Sequence, residues 1–214
     1  MKTVTFKNWI LTELNIAFKL KQVWNSDLMK SWEEQTFPIS EAEKNCLLKL
    51  QRILVLGGRA WNETELQTKF VGPVIMLSDV NDEEIGYFLE RSLSATIGDY
   101  ELSGVVDGII ASGFREPRIP FFCLHEYKRG IENQGEPEAQ VLAAMLVARE
   151  KNNNEKPIYG LFIIGLIWNF VILNGNEYCI SHEYKATDDE LFDIFNMLKA
   201  LKIIIKTNLL KYNI

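Results

Sequence analysis

Asp107 stands in the middle of an apolar run that extends from Glu101 to Ile110. A lone carboxylate in such surroundings costs on the order of several kcal/mol unless it is paired or neutralised. The segment from Phe121 to Lys128 offers partners. Glu126 and Lys128 are two residues apart and share one face of a strand, with Phe122 and Leu124 on that face leading inward. If the two strands are neighbours, two carboxylates and an ammonium converge. Close carboxylates repel unless a cation sits between them. Oxygen ligands favour a hard ion, Mg²⁺ or Mn²⁺. Such an ion stabilises charge on a phosphate and lowers the pKa of a bound water, and Lys128 would orient or activate that water or stabilise the developing charge. The alternative is a buried ion-pair network. Buried pairs seldom add much stability, and perturbed charge clusters favour functional sites.

The surrounding pattern supplies the elements that such a site needs. Phe6, Ile10, Leu14 and Phe18 recur at helical spacing, as do Trp24, Leu28 and Trp32. Ser40 with Glu43 predicts a capping box, opening a helix that ends at Gly57-Gly58. A short helix from Trp61 to Phe70 is expected to stop at Gly72-Pro73. Residues 87–95 and 100–111 read as strands joined at Gly98-Asp99, and 121–128 as a third strand. Pro137 opens a helix that reaches about Glu150. Residues 159–166 and 168–173 read as strands. Asn174-Gly175 turns the chain into a return strand over 177–181, and a closing helix covers 188–206, with Leu191, Ile194, Phe195, Leu198 and Leu201 on one face. The division expected is a helical extension over 1–60 and a core over 61–214, of α/β (α+β) class.

An acidic residue on one strand, Glu-x-Lys on the next, and a helix with an early Gln resemble the PD-(D/E)xK nuclease superfamily. The pieces here are Asp107, Glu126-Tyr127-Lys128 and Gln140. The helix with Asn62-Glu63-Thr64-Glu65 and Phe70-Val-Gly-Pro73 is similar to the acidic helix of nucleases related to the type I restriction subunit. The resemblance covers about residues 61–181, and the whole chain resembles an uncharacterised bacterial family with this core. It implies a restriction-endonuclease-like mixed sheet flanked by helices. It further implies that Asp107, Glu126 and the carbonyl of Tyr127 bind the metal, and that Lys128 positions the attacking water. Glu63 or Glu65 adds a carboxylate; Glu63 shares a face with Leu66 and Phe70. Gln140 hydrogen-bonds near Lys128 or the phosphate, an exposed helix position being the alternative. Val106 stands where the family name has Pro, a position that varies widely.

Glu183-Tyr184-Lys185 repeats the same letters, but no acidic strand and hairpin precede it, so it reads as a surface segment. His125 is expected on the face opposite Glu126, and His182 at the surface. Arg115, Arg118 and Arg129 flank the site as phosphate contacts or as solvated loop charge. Lys199, Lys202 and Lys206 share a face that reads as solvent-facing or as a DNA-contacting stripe.

The net charge of -6 runs against a general nucleic-acid binder, whose affinity comes from neutralising phosphates. Cys46, Cys123 and Cys179 lack zinc or disulfide spacing, which suits a reducing cytoplasm. No signal-peptide pattern opens the chain, and the apolar stretch 158–173 contains Gly160, Gly165 and Asn169, so it reads as strands and not as a membrane span. Phosphate-loop, GxSxG and HExxH motifs are absent. Two functions follow: a metal-dependent nuclease acting on DNA, with a homodimer as one arrangement, or a silent nuclease-fold module that binds nucleic acid or a protein.

Overall fold

The structure, a computed structural model, describes residues 1–128 and 136–209. The first sixty residues contain two strands besides the predicted helices. The β-branched stretch Lys2–Thr5 forms β1. Phe6 begins a 3-10 turn, and α1 spans Leu11–Phe18. The spacing of Phe6, Ile10, Leu14 and Phe18 is therefore not one helical stripe: Ile10 is exposed, and Leu14 is the member fully buried on the helix. Lys19 ends α1 in a left-handed conformation (φ 54°) and leads into β2 (Lys21–Gln22). The second stripe also divides. Trp24 precedes α2 (Asp27–Glu33) and is 81% exposed, whereas Trp32 is buried and donates its indole N–H to the Met197 carbonyl at 2.8 Å.

The predicted capping box is present: Ser40 and Glu43 exchange hydrogen bonds at the start of α3 (Glu41–Gly57). A second box, Asn62 with Glu65, starts α4 (Glu63–Leu66). The chain does not stop at Gly72-Pro73. Residues Gln67–Val71 widen into a π-helical segment in which Gly72 N–H donates to the Gln67 carbonyl, and α5 (Gly72–Leu77) continues with Pro73 in its first turn. Pro73, which has no N–H to offer, occupies the position where a helix needs none.

Among the described residues the strands, β1 and β2 included, form one mixed sheet of nine. β3 (Ile85–Ile97) and β4 (Tyr100–Ser112) form a hairpin turned at Gly98, whose φ of 59° favours glycine. β5 (Arg118–Lys128) runs antiparallel to β4. β6 (Ile158–Ile164) runs parallel to β5, which requires a crossover, and α6 (Pro137–Asn152) supplies it. β7 (Ile167–Asn174) and β8 (Glu177–Ile180) complete a meander, and β9 (Tyr184–Lys185) adds two residues to β7. β1 pairs in parallel with β4, and β2 in parallel with β8.

Helices cover both faces. One core cluster joins α2, α3, α4, α5 and α7 (Leu191–Ile204) to the sheet. The other joins α6, Leu14, Phe6 and Trp9 to the opposite face. Residues Ala139 to Ala148 of α6 are all buried, so the helix lies between the sheet and the N-terminal segment. Class and layering are thus mixed α/β. The three lysines late in the chain are not a free stripe. Lys199 pairs with Glu43 at 2.5 Å, Lys202 with Asp79 at 2.8 Å and Lys206 with Asp82 at 2.5 Å, tying the last helical stretch to α3 and to the turn before β3. Among the described residues no helix is long and apolar enough to cross a membrane.

Candidate active site

β3 pairs along the whole of β4, so β1 and β5 must share the opposite edge of that strand. β1 occupies it from Tyr100 to Ser103, and β5 from Gly108 to Ser112. Gly104, Val105, Val106 and Asp107 fall between the two. Phe6, just past β1, packs over this gap: a side chain at Gly104 would come within 2.3 Å of its ring.

Asp107 sits where β5 parts from β4. The last ladder pair is Gly108 with His125. One residue further, the Asp107 carboxylate replaces the main chain: its Oδ2 accepts the Tyr127 N–H at 2.7 Å. The β3 side is irregular at the same level. Leu89 pairs with Gly108 and Arg91 with Val106, and Glu90 between them adopts a left-handed conformation (φ 50°). For a residue other than glycine this is a strained state, of the kind that gathers at functional sites. The Asp107 carbonyl accepts from Gln67 Nε2 at 3.4 Å. Gln67, in the π-helical segment, is the residue that sequence reasoning missed. Helical spacing carries no sign of the widened turn that precedes Pro73.

Tyr127 separates Glu126 from Lys128 and is 1% exposed, with its hydroxyl 2.9 Å from that of Tyr87. Extended chain sends the N–H and C=O of one residue to the same edge. The Tyr127 carbonyl is therefore on the Asp107 side. Phe122, expected on the face of Glu126 and Lys128, belongs instead to the same cluster as Tyr127. A register shift in the β4–β5 ladder resets the alternation between them. In the β5–β6 ladder Glu126 pairs with Phe162 and Lys128 with Ile164. The side chains of Glu126, Lys128, His125 and Cys123, and all of Arg129, lie outside the described residues.

The two candidate carboxylates of α4 separate. Among the described residues Glu65 accepts the Asn62 N–H at 3.1 Å and Lys69 Nζ at 2.6 Å. Glu63 lines a cavity beside Leu66, and Leu66 and Phe70 are buried as their spacing predicts. Gln140 is not an exposed helix residue: it is 3% exposed, and its Nε2 has no hydrogen-bond partner among the described residues. A buried donor left unpaired costs roughly 1–3 kcal/mol. Just before it, Glu136 accepts the Leu11 N–H at 2.6 Å, joining the starts of α1 and α6. Burial, and secondarily the nearby Glu136 charge, pushes the Glu138 carboxyl up.

Elsewhere, His182 is exposed and lies against Tyr184, ring centres 4.0 Å apart. Tyr184 is buried and Lys185 borders the cavity beside Glu63, so the second Glu-x-Lys is not wholly a surface segment. Arg115 and Arg118 are exposed. Cys46 and Cys179 are free thiols. Among the described residues no three His, Cys, Asp or Glu side chains group closely enough to hold a metal ion, a set to which the Glu126 side chain does not belong. No protein-family model and no curated protein sequence matches the chain.

Proposed function

We propose that this protein is a metal-dependent phosphodiesterase of the PD-(D/E)xK nuclease type, acting on DNA in the cytoplasm. One observation carries the reading: the Asp107 carboxylate is hydrogen-bonded to the N–H of the residue between Glu126 and Lys128, so the acid of one strand is held against the Glu-x-Lys of the next. The donor set suits Mg²⁺ or Mn²⁺, because a carboxylate at Asp107, a second at Glu126 and the Tyr127 carbonyl are all hard oxygens. When bound, the ion supplies Lewis-acid stabilisation of the phosphate and a more acidic water.

The chain's own residues do the rest. Asp107 is oriented by the Tyr127 N–H and by Gln67 at its carbonyl. Tyr127 is anchored by the Tyr87 hydroxyl, which keeps the end of β5 from twisting away. Lys128 orients the attacking water and stabilises charge on the phosphate. Glu63 adds a carboxylate from α4. Gln140 donates from its amide nitrogen, which has no partner among the described residues, to a substrate oxygen, which removes the cost of burying it.

A second reading, a nuclease-fold module that binds without cutting, draws on the net charge of -6 and on the engagement of Lys199, Lys202 and Lys206 in ion pairs. The deciding experiment offers plasmid, linear and single-stranded DNA with Mg²⁺ or Mn²⁺ to wild type, Asp107→Asn and Lys128→Ala. The nuclease reading expects cleavage by wild type and none by either folded variant. No cleavage of any substrate, together with no calorimetric metal binding, would replace it with the binding module.

A further inference from the structure

Between α4 and the β6–β7 hairpin lies a cavity of about 460 Å³, within the range of roughly 300–1,000 Å³ common to small-ligand pockets. Trp61, Leu66, Leu166 and Ile167 give it apolar walls, and Arg59, Lys185 and Glu63 give it charge. It adjoins the candidate active site on two sides. Ile164, in its wall, is the β6 partner of Lys128. Glu63 lies one helical turn before Gln67, whose amide reaches the Asp107 carbonyl. Neither a metal site nor phosphodiester hydrolysis requires an apolar chamber at this place.

The lining defines an occupant with an apolar body and an anion attached to it. Arg59 is exposed and forms no ion pair with another described residue, so its charge is available. The Lys185 ammonium is 3.0 Å from Asp188, and its side chain is 48% exposed, which places a second cation at the rim. A nucleobase followed by its phosphate has this character. Single-strand binders combine the same two elements, an apolar surface for bases and cations that follow the backbone. A base can enter such a chamber only after leaving its stack, which costs a duplex stability and costs a single strand little.

Resting on the nuclease reading, we propose that the cavity is a nucleobase subsite: it takes one unpaired base of the strand whose phosphodiester lies at Asp107, and so selects single-stranded or locally opened DNA.

The test separates base recognition from cutting. Fluorescence anisotropy in EDTA measures the affinity of the full chain for a labelled single strand, for a strand of equal length built from abasic residues, and for a blunt duplex. The expected result is about tenfold tighter binding of the base-bearing strand than of either other probe, from the loss of about one buried base contact. Leu166→Asn should erase that preference and, adding no charge beside Arg59 and Lys185, leave the abasic affinity in place. Arg59→Ala, an exposed position whose change spares the fold, should weaken all single strands alike and lower the slope of log affinity against log salt by about 0.7.

Equal affinity for base-bearing and abasic strands would overturn the subsite, and metal-dependent cleavage by the same preparation would leave the nuclease reading standing. Base-dependent binding erased by Leu166→Asn, with no cleavage in Mg²⁺ or Mn²⁺, would keep the subsite and remove the nuclease. Binding of none of the probes would overturn the subsite, whatever the cleavage assay returns.

Discussion

Glu126-Tyr127-Lys128 and Glu183-Tyr184-Lys185 are the same three letters in two settings. Both tyrosines are buried. The first segment ends a central strand between β4 and β6; the second is a two-residue strand attached to β7 alone. At the first, a main-chain N–H is held by an acid from a neighbouring strand, Asp107. At the second, the Lys185 N–H is held by Glu190, five residues along the same chain, and the Lys185 ammonium by Asp188. The tyrosine hydroxyls differ likewise: Tyr127 meets Tyr87, and Tyr184 donates to Glu33 at 3.3 Å. A tripeptide therefore says little by itself, and its chemistry is decided by what the sheet places opposite it.

The sharpest way to break the comparison is to remove the acid. Asp107→Asn should lower cleavage by roughly 10³-fold, the scale of losing one preorganised electrostatic contact. Glu183→Gln should leave cleavage within about threefold. Equal losses in the two variants, measured as initial rates, would mean that the segments are not distinguished as proposed.

Gln140→Leu tests whether the unpaired amide serves substrate or structure. Replacing a buried amide whose nitrogen has no partner among the described residues by a hydrocarbon of similar size should leave stability unchanged or raise it by about 1 kcal/mol while cutting cleavage about tenfold. A variant that loses stability in urea titrations would show that the amide is satisfied in solution.

Tyr127→Phe removes the hydroxyl that meets Tyr87 and should cost about 1 kcal/mol. Tyr87→Phe/Tyr127→Phe should cost less than the two single changes added together, because the second change removes nothing further from the pair. A double variant that costs the sum of the two singles would remove the pair as the anchor of the β5 end.

The smallest effect concerns the far end of the molecule. The Lys199 hydrogen bond, with those from Ser40, holds the Glu43 carboxyl at about 2, below its ordinary 4.5. A folded value below the unfolded one stabilises the fold fully above about pH 4.5 and loses that contribution as pH falls towards 2. The stability gap between wild type and Lys199→Met should therefore narrow over that interval. A constant gap would mean that the pair contributes no charge-dependent stability.

Much of the sheet was legible because its signals are local. Gly98-Asp99 and Asn174-Gly175 mark hairpins, Pro137 opens α6, and Ser40 with Glu43 opens α3. What escaped depends on distant partners. β1 and β2 are short, and they are strands because β4 and β8 lie beside them, a parallel pairing that no neighbouring residue announces. The lysine stripe has solvent-facing periodicity, yet it meets acids from α3 and from the turn before β3. Trp24 and Trp32 have equal hydrophobicity, and only the start of α2 at Asp27 separates the exposed ring from the buried one. At the site, the residue types and strand order could be read, but the Glu90 kink, the π-helical turn that brings Gln67 to Asp107 and the cavity beside Glu63 could not.

The two N-terminal strands have a consequence in time. β2 pairs with Glu177 and Tyr178, which lie near the far end of the chain. At ordinary elongation rates it waits roughly ten to thirty seconds on the ribosome before its partner is made. β1 waits for Tyr100 to Ser103 as well, with Phe6 due to settle over Gly104 only then. β2 is thus among the last of these strands to be secured, although it is made before β3 to β9. A nascent chain holds β2 open to other molecules until β8 is made, and the gap beside Asp107 acquires its Phe6 wall only once β4 has emerged and β1 has paired with it.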